Sequence, residues 1–203
     1  MKKVLITAFD PSGGETINPA LTAVMALPDK MDGIKIVKQE LPTVYDKSFD
    51  ILLPVLEQER PDAVISVGQA GGRASISIER IAINIDDSTL ADNDGIIHTD
   101  QQIVTSSPAA YFSTLPVKYI IRDLHQAGIP ASISNTAGTF VCNHIMYATL
   151  HYAALNNPDM KAGFVHVPYL PSQTLTKPST PSMSIENIVD GLKIVVKTTA
   201  GAK

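Results

Sequence analysis

Short apolar runs alternate along this chain with stretches whose apolar residues recur every three or four positions. The apolar runs predict buried strands and the periodic stretches predict helices. Strands that are apolar on both faces are typical of a parallel sheet covered on each side. We therefore expect an α/β fold, a three-layer sandwich with a twisted, mainly parallel sheet and helices on both faces. Strands are predicted at 4–9, 34–41, 63–67, 131–134 and 163–167, and helices begin near residues 18, 43, 116, 142 and 184.

One stretch alternates like a strand and then changes phase. Isoleucine occupies positions 76 and 78, and then 81, 83 and 85, so the alternation shifts by one residue at Glu79-Arg80. A shift of this kind predicts a bulge or a bend, and such features often direct side chains into sites. Glu79 is therefore either a functional carboxylate at a bend or an edge charge that pairs with Arg80 or with solvent. The pattern alone favours neither.

Composition narrows the class of protein. The 203 residues are 44% hydrophobic and 18% charged, which predicts one globular domain spanning 1–203. The net charge is -4 and no basic stripe is visible, so no nucleic acid partner is expected. No apolar run approaches membrane-spanning length and no signal peptide is recognisable, so we expect no membrane partner and a cytoplasmic location. The single cysteine excludes an internal disulfide and a multi-cysteine zinc site.

That cysteine, Cys142, lies where a strand and a loop of small residues lead into a helix. Free N–H groups and the helix dipole favour an anion at such a position, so we expect a lowered thiol pKa. Gly138 permits the sharp turn that would present the sulfur above a sheet. The alternative is that Cys142 is an inert, buried apolar residue.

A catalytic cysteine needs a base and a group that orients the base. Among the five histidines, His166 is the best candidate because it ends a buried strand, where sites of parallel sheets gather. A structural histidine in the core is the alternative. Glu79 is the acid best placed by the pattern. Glu79, Cys142 and His166 together predict a thiol hydrolase that forms an acyl-enzyme, with the N–H of Cys142 as an oxyanion donor. The other histidines are disfavoured by their positions: His98, His125, His144 and His151.

Long ordered blocks of sequence resemble the pyrrolidone-carboxylate peptidase family, also called pyroglutamyl peptidase type I. The resemblance spans nearly the whole chain and is carried by Ala8-Phe9-Asp10-Pro11, Gly13-Gly14, Asn18-Pro19, 68–73, Glu79-Arg80 with Ala82 and Asn84, 134–144, and His166-Val167-Pro168.

The resemblance implies a cysteine peptidase that removes N-terminal pyroglutamate from small peptides. It also implies a catalytic triad of Glu79, Cys142 and His166, no metal or other cofactor, and a homodimer or homotetramer. Its substrate pocket would correspond to Phe9, Gln69, Phe140 and Val141.

Two parts of the presumed substrate site depart from the family pattern. Ser12 stands where the family commonly has an aromatic residue before Gly-Gly, and Thr89-Leu90 stands where it commonly has Arg-Ile. The missing aromatic ring would help to enclose the lactam, and the missing arginine would lie near the active site. Because of these replacements, the fit of the substrate and its turnover are the properties that we expect to differ most from those of the family.

Two other functions compete. The glycine-rich turns after Phe9 and Val67 could bind phosphate, as in a nucleotide- or phosphate-binding transferase. Neither turn has the dinucleotide or P-loop pattern, however, and no lysine follows. A non-catalytic or altered-specificity binding protein on the same fold would explain Ser12 and Thr89, but the retained Glu79, Cys142 and His166 argue against it.

Overall fold

The computed structural model describes residues 1–201, in which strands and helices follow the predicted alternation. The buried strands form at the positions where the apolar runs predicted them, and the helices carry the predicted apolar faces. The elements in chain order are β1 (Lys3–Phe9), α1 (Pro19–Met25), β2 (Lys30–Met31), β3 (Ile34–Leu41), α2 (Tyr45–Glu59), β4 (Ala63–Gln69), β5 (Ile76–Glu79), β6 (Ile81–Ile83), β7 (Ala110–Phe112), α3 (Val117–Gln126), β8 (Ala131–Ser134), α4 (Val141–Asn156), β9 (Lys161–Val167) and α5 (Ile185–Gly201).

Seven strands form one sheet in the order β2-β3-β1-β4-β9-β5-β8. The pairs β2–β3 and β9–β5 are antiparallel, whereas the other four neighbouring pairs are parallel. The prediction of a mainly parallel sheet is therefore confirmed. Because β1, β4 and β9 are parallel neighbours, their carboxyl ends lie together at one edge of the sheet.

Helices cover both faces of this sheet, as predicted. One apolar cluster joins α1, α3 and α5 to the sheet and includes Ala20, Ile120 and Leu192. The other cluster joins α2 and α4 to the opposite face and includes Leu52 and Phe164. All of these side chains are fully buried. The sheet is thus the middle layer of a three-layer sandwich.

The predicted bend at Glu79-Arg80 is confirmed. Strand β5 ends at Glu79 inside the seven-stranded sheet, and β6 begins at Ile81 in a separate two-stranded sheet with β7. Arg80 is exposed, whereas Glu79 is completely buried. The chain therefore leaves the main sheet at this point, and the change of alternation marks the exit.

Candidate active site

Cys142 is the second residue of α4, at the end of the helix whose N–H groups are free. Helix α1 has a side-chain cap, because Oδ1 of Asn18 accepts a hydrogen bond from the N–H of Ala20 at 2.9 Å. Phe140, the residue before α4, has no such side chain, and no cap bond forms there. The first N–H groups of α4 therefore remain available to a ligand beside the sulfur.

The next residue holds the first turn of α4 in place. The Asn143 side-chain amide donates to the carbonyls of Ile83 and Ile85 at 2.9 and 3.1 Å, and its oxygen accepts from the N–H of Ile83 at 3.0 Å. Asn143 is almost fully buried. Three hydrogen bonds to one segment leave the turn little freedom, so the position of the neighbouring Cys142 is also constrained.

The sulfur lies close to the backbone of β4. A β-carbon added to Gly68 would lie 3.0 Å from Sγ of Cys142 and 2.8 Å from the Phe164 ring. A side chain at this position would therefore collide with both groups. His166 is the register partner of Gly68 on β9, and paired residues of parallel strands project on the same face. The imidazole and the sulfur consequently share one face of the sheet at its carboxyl edge.

His166 is bonded to Glu79. Nδ1 of the imidazole lies 2.7 Å from Oε1 of Glu79, and both side chains are almost completely buried. Arg73 donates from its guanidinium to the same Oε1 at 2.7 Å and to the carbonyl of Thr136 at 3.2 Å. Glu79 therefore pairs with His166 and Arg73 and not with its neighbour Arg80.

The charge states of this triad follow from burial and pairing. Burial tends to raise the pKa of Glu79, but the hydrogen bond and charge of His166, together with Arg73, outweigh it and hold that pKa below its usual value. Burial, helped by the charge of Arg73, lowers the pKa of His166 although the hydrogen bond and charge of Glu79 act to raise it. The imidazole is thus neutral near pH 7. It carries its proton on Nδ1 toward the carboxylate, and Nε2 is the acceptor.

The prediction of a low thiol pKa is wrong. Burial, with a further contribution from the Glu79 charge, raises the pKa of Cys142 to about 12. Arg73 and the backbone N–H of Cys142 act in the opposite direction but are outweighed. Proximity to a helix N-terminus does not compensate for the loss of solvent around the sulfur. The resting pair is consequently a neutral thiol beside a neutral imidazole.

A cavity opens beside the sulfur. The space beside the sulfur, counted together with its open mouth, is about 430 Å³, so the enclosed part is small. Four of the predicted pocket residues and Cys142 line it. Four further lining residues were not predicted. Glu15, Ile17 and Asn18 lie between β1 and α1, and Thr43 lies just before α2. The complete lining is Phe9, Ser12, Glu15, Ile17, Asn18, Thr43, Gln69, Phe140 and Cys142.

Three predicted pocket residues do not line this cavity. Thr89 and Leu90 lie in an exposed loop, and the Leu90 side chain is 66% exposed. Val141 is buried in the apolar cluster between α4 and the sheet. Its position next to Cys142 turns its side chain inward, because adjacent residues of a helix point in different directions.

Sequence reasoning missed two charged residues at the site. Arg73, the partner of Glu79, ends the glycine-rich turn after β4. An arginine in such a turn is just as often a solvent-exposed side chain without a role in a site. Glu15 lines the cavity and lies in the turn before α1. No periodic pattern marks either residue, since both are in loops.

The remaining histidines have structural partners. His98 and His144 both contact Oδ2 of Asp86, at 3.2 and 2.8 Å. His151 bonds the hydroxyl of Tyr111 at 2.9 Å, and His125 bonds the carbonyl of Ala131 at 2.8 Å. Within residues 1–201, no group of three or more His, Cys, Asp or Glu side chains is arranged to hold a metal ion.

Comparison with known proteins links this geometry to a family. The family model described as "Pyroglutamyl peptidase" matches residues 2–202. Pyrrolidone-carboxylate peptidase from Alkaliphilus oremlandii is 52% identical over 194 residues, covering 96% of this chain and 91% of its own. The enzyme of the same name from Treponema denticola is 51% identical over 199 residues, covering 96% and 92%.

Solved structures agree with the sequence comparison. The crystal structure of pyroglutamyl peptidase I from Bacillus amyloliquefaciens superposes with a TM-score of 0.97 at 44% identity, covering 99% of this chain and 96% of its own. A mutant pyrrolidone carboxyl peptidase from the hyperthermophile Pyrococcus furiosus gives a TM-score of 0.94 at 42% identity, covering 97% of each chain.

Proposed function

The chain belongs to the pyroglutamyl peptidase family, cysteine peptidases that remove N-terminal pyroglutamate from peptides, and we propose that Cys142, His166 and Glu79 carry out the reaction. The observation that supports this assignment most is the buried bond between His166 and Glu79, which leaves Nε2 of the imidazole free on the face where Cys142 lies. The hydrogen bond and charge of His166, with smaller contributions from Ser134 and Arg73, hold the pKa of the Glu79 carboxyl below its usual value against the effect of burial. This arrangement suits a base that must gain and then return one proton.

Acylation begins with a proton transfer. Nε2 of His166 takes the proton from Sγ of Cys142 as the sulfur attacks the carbonyl carbon of the pyroglutamyl residue. The carbonyl electrons move to oxygen, and the free N–H groups at the start of α4, including that of Cys142, donate to the oxyanion. The C–N bond then breaks, the departing amine takes the proton from the imidazolium, and a thioester remains.

Deacylation repeats the sequence with water. His166 removes a proton from water, the hydroxide attacks the thioester carbon, and the C–S bond breaks to release pyroglutamate. The sulfur regains its proton from the imidazolium. Glu79 accepts from Nδ1–H throughout and stabilises the charged imidazole in both half-reactions.

The cavity beside Cys142 would hold the lactam ring. Phe9 and Phe140 offer apolar contact to the ring, and the Gln69 amide offers a polar partner. Ser12 leaves one side of the ring with less apolar contact than an aromatic residue would give. Thr89, Leu90 and Val141, which lie outside the lining, are not assigned a contact with the ring.

Assembly and location are further parts of the proposal. We infer a homodimer or homotetramer, because Leu175 is 84% exposed in a proline-rich segment and several other large apolar side chains are also exposed. Light scattering after gel filtration tests this. A cytoplasmic location suits an enzyme whose only cysteine must stay reduced. None of the helices within residues 1–201 is both long and apolar enough to cross a membrane.

Alkylation tests the nucleophile directly, because the chain has only one cysteine. Iodoacetamide should add one label per chain and abolish hydrolysis of a pyroglutamyl amide, and Cys142→Ser should lower kcat by several orders of magnitude with an unchanged fold. Since the resting thiol is neutral, the alkylation rate should climb as pH rises above 7. Full activity in the labelled protein would contradict the assignment of Cys142 as the nucleophile.

A further inference from the structure

A proline-rich segment, 168–183, reaches the rim of the cavity through one glutamine. Gln173 is nearly buried, and its Nε2 donates to Oε1 of Gln69 at 2.8 Å and to Oε2 of Glu15 at 3.0 Å. Its own Oε1 accepts from the backbone N–H of Leu170 at 2.9 Å. Gln69 and Glu15 both line the cavity. Gln173 is not itself part of the lining, but it joins two residues that are.

This network determines which end of each amide carries the donors. An ionised carboxylate only accepts hydrogen bonds, so the Gln173 atom facing Glu15 must be the nitrogen. A backbone N–H only donates, so the atom facing Leu170 must be the oxygen. Both ends of the Gln173 amide are thus determined by partners that cannot exchange roles.

The same constraint passes on to Gln69. Because Nε2 of Gln173 is a donor, the Gln69 atom that faces it must be the oxygen. The nitrogen of Gln69 is then the atom turned away from Gln173, and within residues 1–201 the only side-chain hydrogen bond of Gln69 is the one its oxygen accepts. Its N–H groups are therefore left for a ligand in the cavity.

Glu15 keeps its acceptor role over a wide pH range. Hydrogen bonds from Lys177, at 2.6 Å, and from Gln173 lower the pKa of Glu15, and these outweigh a small contribution from burial. The carboxylate thus stays ionised well into mildly acidic solution. Lys177 also donates to the carbonyl of Gln173 at 2.9 Å, which holds the segment against the rim.

We propose that Gln173 is a positioning residue that fixes the orientation of the Gln69 amide, so that the cavity presents an N–H donor to the carbonyl oxygen of the lactam. The proposal rests on the proposed function of the cavity as the pyroglutamyl site. A Gln69 amide that was free to turn would present its oxygen to the lactam carbonyl for part of the time. Two acceptors would then face each other, and that orientation would not bind the ring.

Two matched ligands separate this role from a merely structural one. Pyroglutamic acid and cyclopentanecarboxylic acid share a five-membered ring and a carboxyl group, but only the first has a lactam. We expect Gln173→Met to weaken inhibition by pyroglutamic acid about tenfold, which corresponds to one hydrogen bond. Inhibition by cyclopentanecarboxylic acid should not change. KM for a pyroglutamyl amide should rise by a similar factor with little change in kcat.

Gln173→Glu should have a larger effect on the lactam ligand. A carboxylate at position 173 would accept a hydrogen bond from Nε2 of Gln69. The Gln69 amide would then be reversed, and its oxygen would face the cavity. Thr174→Val is the control, because Thr174 belongs to the same segment and, in the described part of the chain, its hydroxyl donates only to the carbonyl of Pro171. This control should leave both inhibitors unchanged.

The outcomes are distinct. If Gln173→Met leaves both inhibition constants unchanged, Gln69 does not need Gln173 and the proposal is wrong. If both constants rise equally, the segment only shapes the cavity, and the proposal is again wrong. Failure of the wild-type protein to hydrolyse a pyroglutamyl amide would instead contradict the proposed function, a result obtained without any variant.

Discussion

At the scale of single residues, Arg73 contributes to the charge states of the proposed triad although it lies outside it. Its guanidinium bonds Glu79 and is about one-third exposed. It lowers the pKa of Glu79, and its charge also lowers the pKa of His166. His166 must be neutral to accept the thiol proton. Arg73 therefore extends the active range toward acid.

Replacement of Arg73 should move the acid limb of the activity profile to higher pH. In Arg73→Met the pKa of His166 rises, so more of the imidazole is protonated at a given pH below neutrality. We expect kcat/KM at pH 6 to fall about tenfold, with a smaller loss at pH 8. The measurement is kcat/KM for a pyroglutamyl amide between pH 5 and 9.

The control for this experiment is Arg80→Met, which removes an exposed arginine next to Glu79. Its profile should match that of the unaltered protein. An equal loss at every pH in Arg73→Met would mean that Arg73 contributes to structure alone.

Ser12 is the second residue whose chemistry can be isolated. It lines the cavity with Phe9 and Phe140, and Ile17 lies in the same lining with 37% of its side chain exposed. Ser12→Phe should add apolar contact to the ring on the order of 1 kcal/mol. Substrate and transition state would gain equally, so we expect KM to fall about fivefold at constant kcat.

Ser12→Ala is the matched control, since it removes the hydroxyl without adding a ring, and its KM should stay unchanged. An unchanged or higher KM in Ser12→Phe would show that Ile17 already occupies the space.

At the scale of elements, the close approach of α4 to β4 requires a residue without a side chain at position 68. Gly68→Ala would place its β-carbon against Phe164 and Cys142. We expect unfolding free energy to fall by roughly 1–3 kcal/mol, as in overpacked cores, and kcat to fall because the sulfur is displaced. Urea unfolding and steady-state kinetics measure the two effects.

Gly201→Ala is the comparison for Gly68→Ala. Among residues 1–201, no non-neighbouring atom lies within 4 Å of a β-carbon added there, at the end of α5. This variant should keep full activity and normal stability. A Gly68→Ala protein that behaved like it would contradict the close contact.

The sequence predicted elements well where their pattern was long. The apolar run of strand β1 is continuous and the apolar positions of helix α5 recur regularly, so the sequence located both elements. The two-residue β2 and three-residue β7 are too short for a pattern to be visible. Helix α2 continues through Pro54, although a proline inside a helix removes a hydrogen bond and usually kinks or breaks it. Burial of Leu52 and Leu56 on either side of Pro54 offsets the missing hydrogen bond.

The sequence marked the residues of the proposed triad, but their arrangement could not be read from it. A change of phase marked Glu79, and a strand end marked His166. The antiparallel pairing of β5 with β9, which brings Glu79 to the imidazole, is not encoded in periodicity. The high thiol pKa was also inaccessible, because burial of the sulfur depends on contacts between distant segments.

At the scale of the whole molecule, both apolar clusters rest on the same sheet. Strands β1, β4 and β9 contribute side chains to each cluster. Loss of either helical layer would expose the strands that support the other. We therefore propose that the chain folds as one domain and unfolds as a unit.

Two optical probes can test this cooperativity. Tyr45 and Tyr147 are buried in the cluster formed with α2 and α4, and the chain has no tryptophan. Tyrosine fluorescence thus reports mainly one layer, whereas far-ultraviolet circular dichroism reports all helices. In urea the two transitions should coincide. Separate midpoints would indicate two independent units.

The small cavity beside Cys142 also limits which proteins can be attacked. It is narrow and lined by Phe9, Gln69 and Phe140, and a pyroglutamyl ring is a chain terminus, because its nitrogen is already closed into the lactam. A bond in the middle of a folded chain would have to bring a continuing backbone into the same space. An enzyme restricted in this way leaves the internal peptide bonds of its own folded chain and of neighbouring proteins intact.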